Sequence, residues 1–310
     1  MGGNPIGAPI VSSMRIVSLV PSATELLFAL GLGGDVVAVT HECDFPPAAR
    51  ELPTVTRDLI GSGLEPGEID RAVRSLTEQG QSIYELDTEE LHALSPDLIV
   101  TQAVCAVCAV SYDDVQALAD EMDPRPEVIS LDPTTLGEVL GDVRTVATAT
   151  DRKDQGVELV QDAASRIDRV RLAVRAAERP RVAALEWLDP VYVAGHWTPQ
   201  LVDYAGGEDV LGLPGEPSEV HSWEAVAAAK PDVVVVMPCG YDAERALEEA
   251  YTFEDELAAI GAERVVAVDA SAYFSRPGPR LIDGLELLAH VLHPDRVTEA
   301  PAVALPVDLD

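Results

Sequence analysis

The sequence predicts an α/β protein of two Rossmann-like lobes with parallel sheets, joined by one long backbone helix. Three observations lead there. One unit occurs twice, as EELHALSPDLIVTQAVC from Glu89 to Cys105 and as EAVAAAKPDVVVVMPC from Glu224 to Cys239: a helix-like run, a Pro-Asp break, apolar β-formers and a cysteine. The strand portions, Leu98-Ile99-Val100 and Val233 to Val236, show no polar alternation, as expected of parallel strands covered on both faces. Between the copies lies a proline-free stretch from about Lys153 to Glu178. Its Val157, Val160, Ala164, Ile167, Val170 and Val174 fall at helical spacing, which predicts one helix on the order of 40 Å long.

The chain divides accordingly into a disordered N-terminal extension (1–13), an N-terminal α/β lobe (14–151) with an insert at 57–83, a linking helix (152–179) and a C-terminal α/β lobe (180–310). Arg15 to Val20 reads as the first strand. Ser22-Ala23-Thr24-Glu25 then reads as a capping box that opens an apolar helix ended by Gly31. Asp35 to Thr40 is a second strand, ending in His41-Glu42-Cys43-Asp44. The polar insert holds a helix from Glu68 to Gln79 between Gly-rich turns and reads as an appendage or lid. After the first copy comes a strand from Pro126 to Leu131. The second lobe repeats the plan with a strand at Val182 to Glu186, a loop from Trp187 to Pro199, a helix from Gln200 to Tyr204, the second copy with Ser222 as N-cap, a charged helix, a strand at Arg264 to Asp269 and a closing helix to His290. The tail beyond Pro294 reads as loosely ordered.

Composition excludes some functions. Of 310 residues 47% are apolar, enough for real cores, while 54 acidic residues face 21 basic ones for a net charge of −33. Only Lys153 and Lys230 are lysines. Nucleic acid and anionic membrane surfaces, which need clustered basic charge, are disfavoured as partners. Acid spread along the whole chain resembles a halophile's surface, where salt screens self-repulsion. No apolar run reaches the ~20 residues of a membrane span. Residues 1–13 lack Lys, Arg and an apolar core, so they do not read as a signal peptide. The expected location is cytoplasmic as written, or extracytoplasmic if a leader precedes this sequence.

Ligands of open α/β sheets bind outside the carboxyl ends of the strands. The strand-end loops here carry all four cysteines (Cys43, Cys105, Cys108 and Cys239) together with His41, His196 and His221. Cys105-Ala-Val-Cys108 has the spacing that lets two thiolates hold one metal or cluster. Ser22, at a helix start, would turn backbone N–H groups toward the cleft. Arg276 and Arg280 stand out in an acid-rich chain. No general-base pair, nucleophile elbow or phosphate loop is visible.

The segments IVSLVPSATELLFALG, VVAVTHECDFPP, LSPDLIV, AGGEDVLG, SWEAVAAAKPDVVVV and SRPGPRLIDGLELL, in this order and spacing, resemble the class III substrate-binding proteins of ABC importers, specifically the cobalamin-binding branch. The resemblance runs from Met14 to Pro294. It implies two lobes bridged by a rigid helix, a ligand held between them and little movement on binding. It also implies that Glu89 and Glu224 dock on arginines of an ABC permease, and that Tyr192, Trp197, Tyr273 and Phe274 stack on a corrin. The chain departs from the family in its insert, its Cys-x-x-Cys loop and the missing leader.

Two readings follow. In the first, favoured by the resemblance, the protein captures a corrinoid (cobalamin-type) or other metal chelate, with Ser22, His41, Tyr192, His196, Trp197, Tyr273, Phe274 and Arg276 at the ligand and His41, His196 or His221 available to the central metal. In the second, Cys43, Cys105, Cys108 and Cys239 hold an iron-sulfur cluster or zinc in the same cleft, and Arg276 and Arg280 receive an anionic substrate.

Overall fold

The computed structural model describes residues 14–61, 63–79, 82–103 and 111–309; the extension at 1–13, Cys105 and Cys108 lie outside the described residues. The first lobe runs β1 (Ile16–Ser18), α1 (Pro21–Ala29), β2 (Val36–Ala38), β3 (Thr56–Asp58), α2 (Pro66–Glu78), β4 (Tyr84–Leu86), α3 (Thr88–Leu94), β5 (Leu98–Thr101), α4 (Tyr112–Glu121), β6 (Glu127–Ser130) and α5 (Leu136–Ala149). Helix α6 (Lys153–Val174) leads to the second lobe. There follow β7 (Arg181–Leu188), β8 (Val191–Val193), α7 (Thr198–Tyr204), β9 (Glu208–Asp209), β10 (Glu219–Val220), α8 (Trp223–Ala229), β11 (Val233–Val236), α9 (Ala243–Thr252), α10 (Glu254–Ile260), β12 (Arg264–Val268), α11 (Ala270–Tyr273), α12 (Leu281–Leu292) and β13 (Ala304–Pro306).

The first sheet is all parallel, in the order β2-β1-β5-β6. The second has a parallel core, β7-β11-β12, with β9 parallel beside the start of β7. Its remaining strands, β8, β10 and β13, are antiparallel. Two of these additions fall where the sequence suggested irregular chain. The 187–199 loop contains β8, which folds back on β7, and the tail contains β13, pinned by Val307 N–H donating to the Val265 carbonyl and by Val307 entering the core. Burial of apolar tail residues outweighs the looseness expected of a chain terminus.

The repeated unit has one physical cause in both lobes. Helices α3 and α8 end at Ser95 and Lys230 in the left-handed region, with φ of 43° and 49°. The aspartate after each proline then ties its strand to the neighbour: Asp97 Oδ2 accepts from Arg15 N–H at 2.8 Å, and Asp232 Oδ2 from Arg181 N–H at 2.7 Å. Each arginine side chain returns a bond to the end of the preceding helix, at Leu94 O and Lys230 O. In β11, alternate valines enter two different cores, Val233 and Val235 one, Val234 and Val236 the other, which explains the missing polar alternation.

Helix α6 has 22 residues, about 33 Å at 1.5 Å per residue, and packs between α5 and α12. Its buried face is Gly156, Ala163, Ile167, Val170 and Val174, so Val157 (51% exposed) and Ala164 lie outside the expected stripe. The face is set by Gly156, where a Cβ would come within 2.5 Å of the Ala147 side chain, bringing α6 close against α5. Arg166 completes the junction by donating to Asp283 and Glu286 of α12.

Asp232→Ala removes the acceptor for the Arg181 N–H, and urea unfolding is expected to show a loss of about 1–2 kcal/mol; an unchanged midpoint would contradict the role given to the Pro-Asp break.

Candidate functional site

The carboxyl-end loops of the two sheets meet through three sets of contacts. Nearest α6, Glu25 of α1 is 4% exposed and receives Arg280 through both oxygens, at 2.9 and 2.5 Å, and Arg276 at 3.3 Å. Arg276 also donates to Asp44 and to the Glu42 carbonyl. Burial works to raise the Asp44 carboxyl, but Arg276 outweighs it and holds the group below its usual value. The second contact joins Leu136 N–H to Gln200 Oε1 at 2.9 Å. The third comes from the insert, whose α2 reaches the β7–β8 turn: Arg74 donates to the Tyr192 hydroxyl at 3.2 Å, and Gly67 sits so close to Asp189 that a Cβ would lie 2.4 Å from its carboxylate. The two residues that flank the insert fix its ends on the first lobe: Thr56 Oγ1 lies 2.8 Å from His41 Nδ1, and Tyr84 donates to Glu42 at 2.9 Å. It therefore touches both lobes, as a lid would.

Several expected site residues sit elsewhere than foreseen. Trp197 and Phe274 are 8% and 3% exposed, in the second-lobe core, with the indole N–H donating to the Phe274 carbonyl at 2.8 Å. They support the cleft wall from behind and offer no face to a ligand. Arg276 is engaged by Glu25 and Asp44, so it does not stand open to an anion. Ser22 is buried inside the first turn of α1, which begins at Pro21 with Val20 as an uncapped N-cap; the expected capping box is absent because Glu25 faces the arginines.

Cys43 is 5% exposed between the Thr24 and Thr40 hydroxyls, both at 3.1 Å from Sγ, and burial raises its thiol above the usual value. This environment favours the neutral thiol and opposes a metal-binding thiolate. Cys239 is exposed, with its backbone N–H on the Glu186 carbonyl. Among the described residues no three His, Cys, Asp or Glu side chains group to hold a metal. Tyr192, Tyr273, His196 and His221 are half-buried and His41 is exposed, all on the strand-end loops.

A cavity of about 270 Å³ lies where α1, α5, α6 and the 277–280 loop with the start of α12 meet, lined by Leu26, Phe45, Val139, Val143 and Ile282 among others. It lies at the lobe junction beside α6 and is smaller than the roughly 300–1,000 Å³ usual for organic ligands.

Comparison with known proteins matches this architecture. Residues 16–270 match the periplasmic binding protein family. The chain belongs to that family. A vitamin B12-binding protein of Vibrio cholerae serotype O1 is 25% identical over 289 residues, covering 88% of this chain and 86% of the relative. The crystal structure of the periplasmic vitamin B12-binding protein of Vibrio cholerae superposes with a TM-score of 0.65 at 23% identity, covering 90% of this chain and 96% of that one. A periplasmic heme-binding protein from Roseiflexus sp. RS-1, in apo form, gives a TM-score of 0.65 at 26% identity, with 92% and 99% covered.

Two acidic residues of this periplasmic binding protein escaped sequence reading because nothing marks them locally. Glu186 occupies a bulge in β7 and is half-buried at its carboxyl end, where burial pushes its carboxyl up to about 7 against the opposing Ser218 hydrogen bond. Glu249 of α9 is 6% exposed, lies beside the Tyr241 hydroxyl and has no well-formed hydrogen bond on either oxygen. Burial raises it to about 7; Tyr241 and Arg245 work against the rise, while Asp189 and Glu65 of the insert add to it. A signal was present only in the fold: Glu186 sits in a strand bulge, and Glu249 is buried within reach of Glu65 of the insert.

A raised carboxyl stabilises the folded state relative to the ionised form at low pH, and that contribution is lost as pH climbs from 4.5 through about 7. Glu249→Gln is therefore expected to match wild type near pH 4.5 and to be more stable at pH 8, by on the order of 1–3 kcal/mol in urea unfolding; equal stability at both pH values would contradict the burial of this carboxyl.

Proposed function

We propose that this periplasmic binding protein captures a corrinoid in the cleft between its lobes and presents it to an ABC permease. The observation that carries this reading is the state of the cleft's cations. Arg276 and Arg280 are bound by Glu25 and Asp44, and Arg74 by Asp70. A haem brings two propionates and would need such cations open, in a chain of net charge −33. A corrinoid is rimmed by neutral amides and asks for hydrogen-bonding groups instead. The half-buried Tyr192, Tyr273, His196 and Glu186 are of that kind. The vitamin B12-binding relatives support the same ligand class.

Glu89 and Glu224 support the permease partner. Each is exposed at the second position of its helix, α3 or α8, the corresponding helices of the two repeats. Two equivalent carboxylates, one per lobe, suit docking on arginines across a permease's outer face. On this reading the protein works outside the membrane, and its acid-rich surface is suited to salt.

Titration with cyanocobalamin in visible light is expected to saturate at one per chain, and Glu89→Ala with Glu224→Ala to keep that affinity while lowering permease-dependent uptake several-fold. Absence of cobalamin binding would overturn the ligand; unchanged uptake by the double variant would overturn the docking role.

A further inference from the structure

Helix α2 of the insert is amphipathic, and its polar side meets the second lobe. Gly67, Asp70 and Arg74 fall at i, i+3 and i+7, on one face. Asp70 Oδ2 holds Arg74 Nε at 2.8 Å, which steadies the guanidinium while a terminal nitrogen donates to the Tyr192 hydroxyl at 3.2 Å. Two turns earlier Gly67 is seated on Asp189: a Cβ there would lie 2.4 Å from its carboxylate, so helix and turn are in direct contact. At about 100° per residue, the apolar Ile69, Val73 and Leu76 lie on the opposite side of α2. They are half-buried and enter none of the apolar cores of either lobe.

None of the 13 residues of α2 is buried. A helix attached in this way opens at a small fraction of the global unfolding cost, because little apolar surface leaves its contacts. The link into it supplies a hinge, since Gly61 and Gly63 stand at φ 85° and 86° with open space on their Cβ side. The stem below is firmer. Strands β3 and β4 pair antiparallel, Arg57 donates to Glu85 across them, and Val55 N–H meets the Val39 carbonyl at 3.0 Å, just past the end of β2. The insert is thus rooted at the carboxyl end of the first sheet, and α2 lands on the turn that follows β7, at the carboxyl end of the second. Ligands of open α/β sheets are held at these ends, so α2 spans the cleft between them. The lobes themselves are tied by Glu25 to Arg276 and Arg280, which leaves movement at the cleft to the insert.

We propose that the insert is a latch on the cleft: α2 swings about Gly61 and Gly63, Arg74 leaves the Tyr192 hydroxyl, and ligand enters and leaves only in this open state. The latch takes its ligand from the corrinoid reading above, while the opening itself rests on the contacts of α2. A latch of this kind acts on rates more than on affinity, because it slows entry and escape together.

The seat of Gly67 provides the test. A Cβ at this position would lie 3.2 Å from the Asp189 Cγ, so Gly67→Cys with Asp189→Cys brings two thiols within reach of a disulfide. The pair is made in the full chain with Cys105→Ser, Cys108→Ser and Cys239→Ser to prevent other pairings. Hydrogen exchange without ligand reads the opening: in the reduced form the α2 amides are expected to exchange at least about tenfold faster than those of α12, and oxidation to slow them about tenfold or more. Rapid mixing with cyanocobalamin reads the gating: oxidation is expected to slow association and dissociation alike by about tenfold or more, and Arg74→Ala in the otherwise unchanged chain to speed both several-fold with Kd nearly unchanged. Failure of the two cysteines to pair overturns the seating on which the latch depends. Protection of α2 equal to that of α12 in the reduced form, cobalamin rates unaffected by oxidation, or a Kd weakened tenfold by Arg74→Ala with association unchanged overturns the latch alone. If wild type and the reduced form both fail to bind cyanocobalamin, the corrinoid reading falls, and hydrogen exchange decides the latch.

Discussion

One buried carboxylate sets the relation of the two lobes. Glu25 leaves α1 almost fully enclosed and receives two guanidiniums from the other lobe, Arg280 through both of its oxygens. A carboxylate removed from water is costly alone and becomes tolerable only with geometry of this quality. The pair ties the first helix of one lobe to the loop before the last helix of the other, 255 residues apart in the chain. Arg280 also lies over the Phe45 ring, 4.1 Å from its centroid, so the same side chain joins the ion cluster to the apolar junction. With α6 packed between α5 and α12 and Arg166 bonded to Asp283 and Glu286, the lobes are held together on the side of the linking helix.

The same contact decides which charges remain for a ligand. An acid-rich chain has few cations, and the junction engages Arg276 and Arg280. What is left is a set of half-buried aromatic and polar groups: Tyr273 with its hydroxyl raised by burial, His196 with its imidazole lowered by burial, and Glu186 with its carboxyl raised by burial. Such a surface recognises shape and amide hydrogen bonds better than formal charge. The insert adds a third side through Arg74 and Gly67, giving the cleft a cover that belongs to neither sheet.

Much of the fold was legible because its causes are local. The Pro-Asp breaks mark a helix end and a strand start in both lobes, and the aspartates that follow are bonded to the neighbouring strand, so the repeat in the sequence is a repeat of physical constraints. The insert helix, expected at Glu68 to Gln79, forms at Pro66–Glu78 for the same reason: Glu65 and Glu68 close a capping box on it. Long-range choices were not legible. Strand β13 exists because β12 offers it an edge, and Trp197 turns into the core because the Phe274 carbonyl is there to accept its N–H. Glu25 read as a cap, since nothing near it in sequence announces arginines from the far end of the chain. Position on a strand-end loop could not tell which aromatic side chains face the cleft and which, like Trp197 and Phe274, face inward.

Competition between haemin and cobalamin on one sample of wild-type protein tests the central claim most directly. If Glu25 and Asp44 hold the cleft's arginines, bound cobalamin resists displacement by excess haemin, and haemin alone binds weakly at any salt concentration. Displacement of cobalamin by stoichiometric haemin would show cations available to the propionates and would contradict the account.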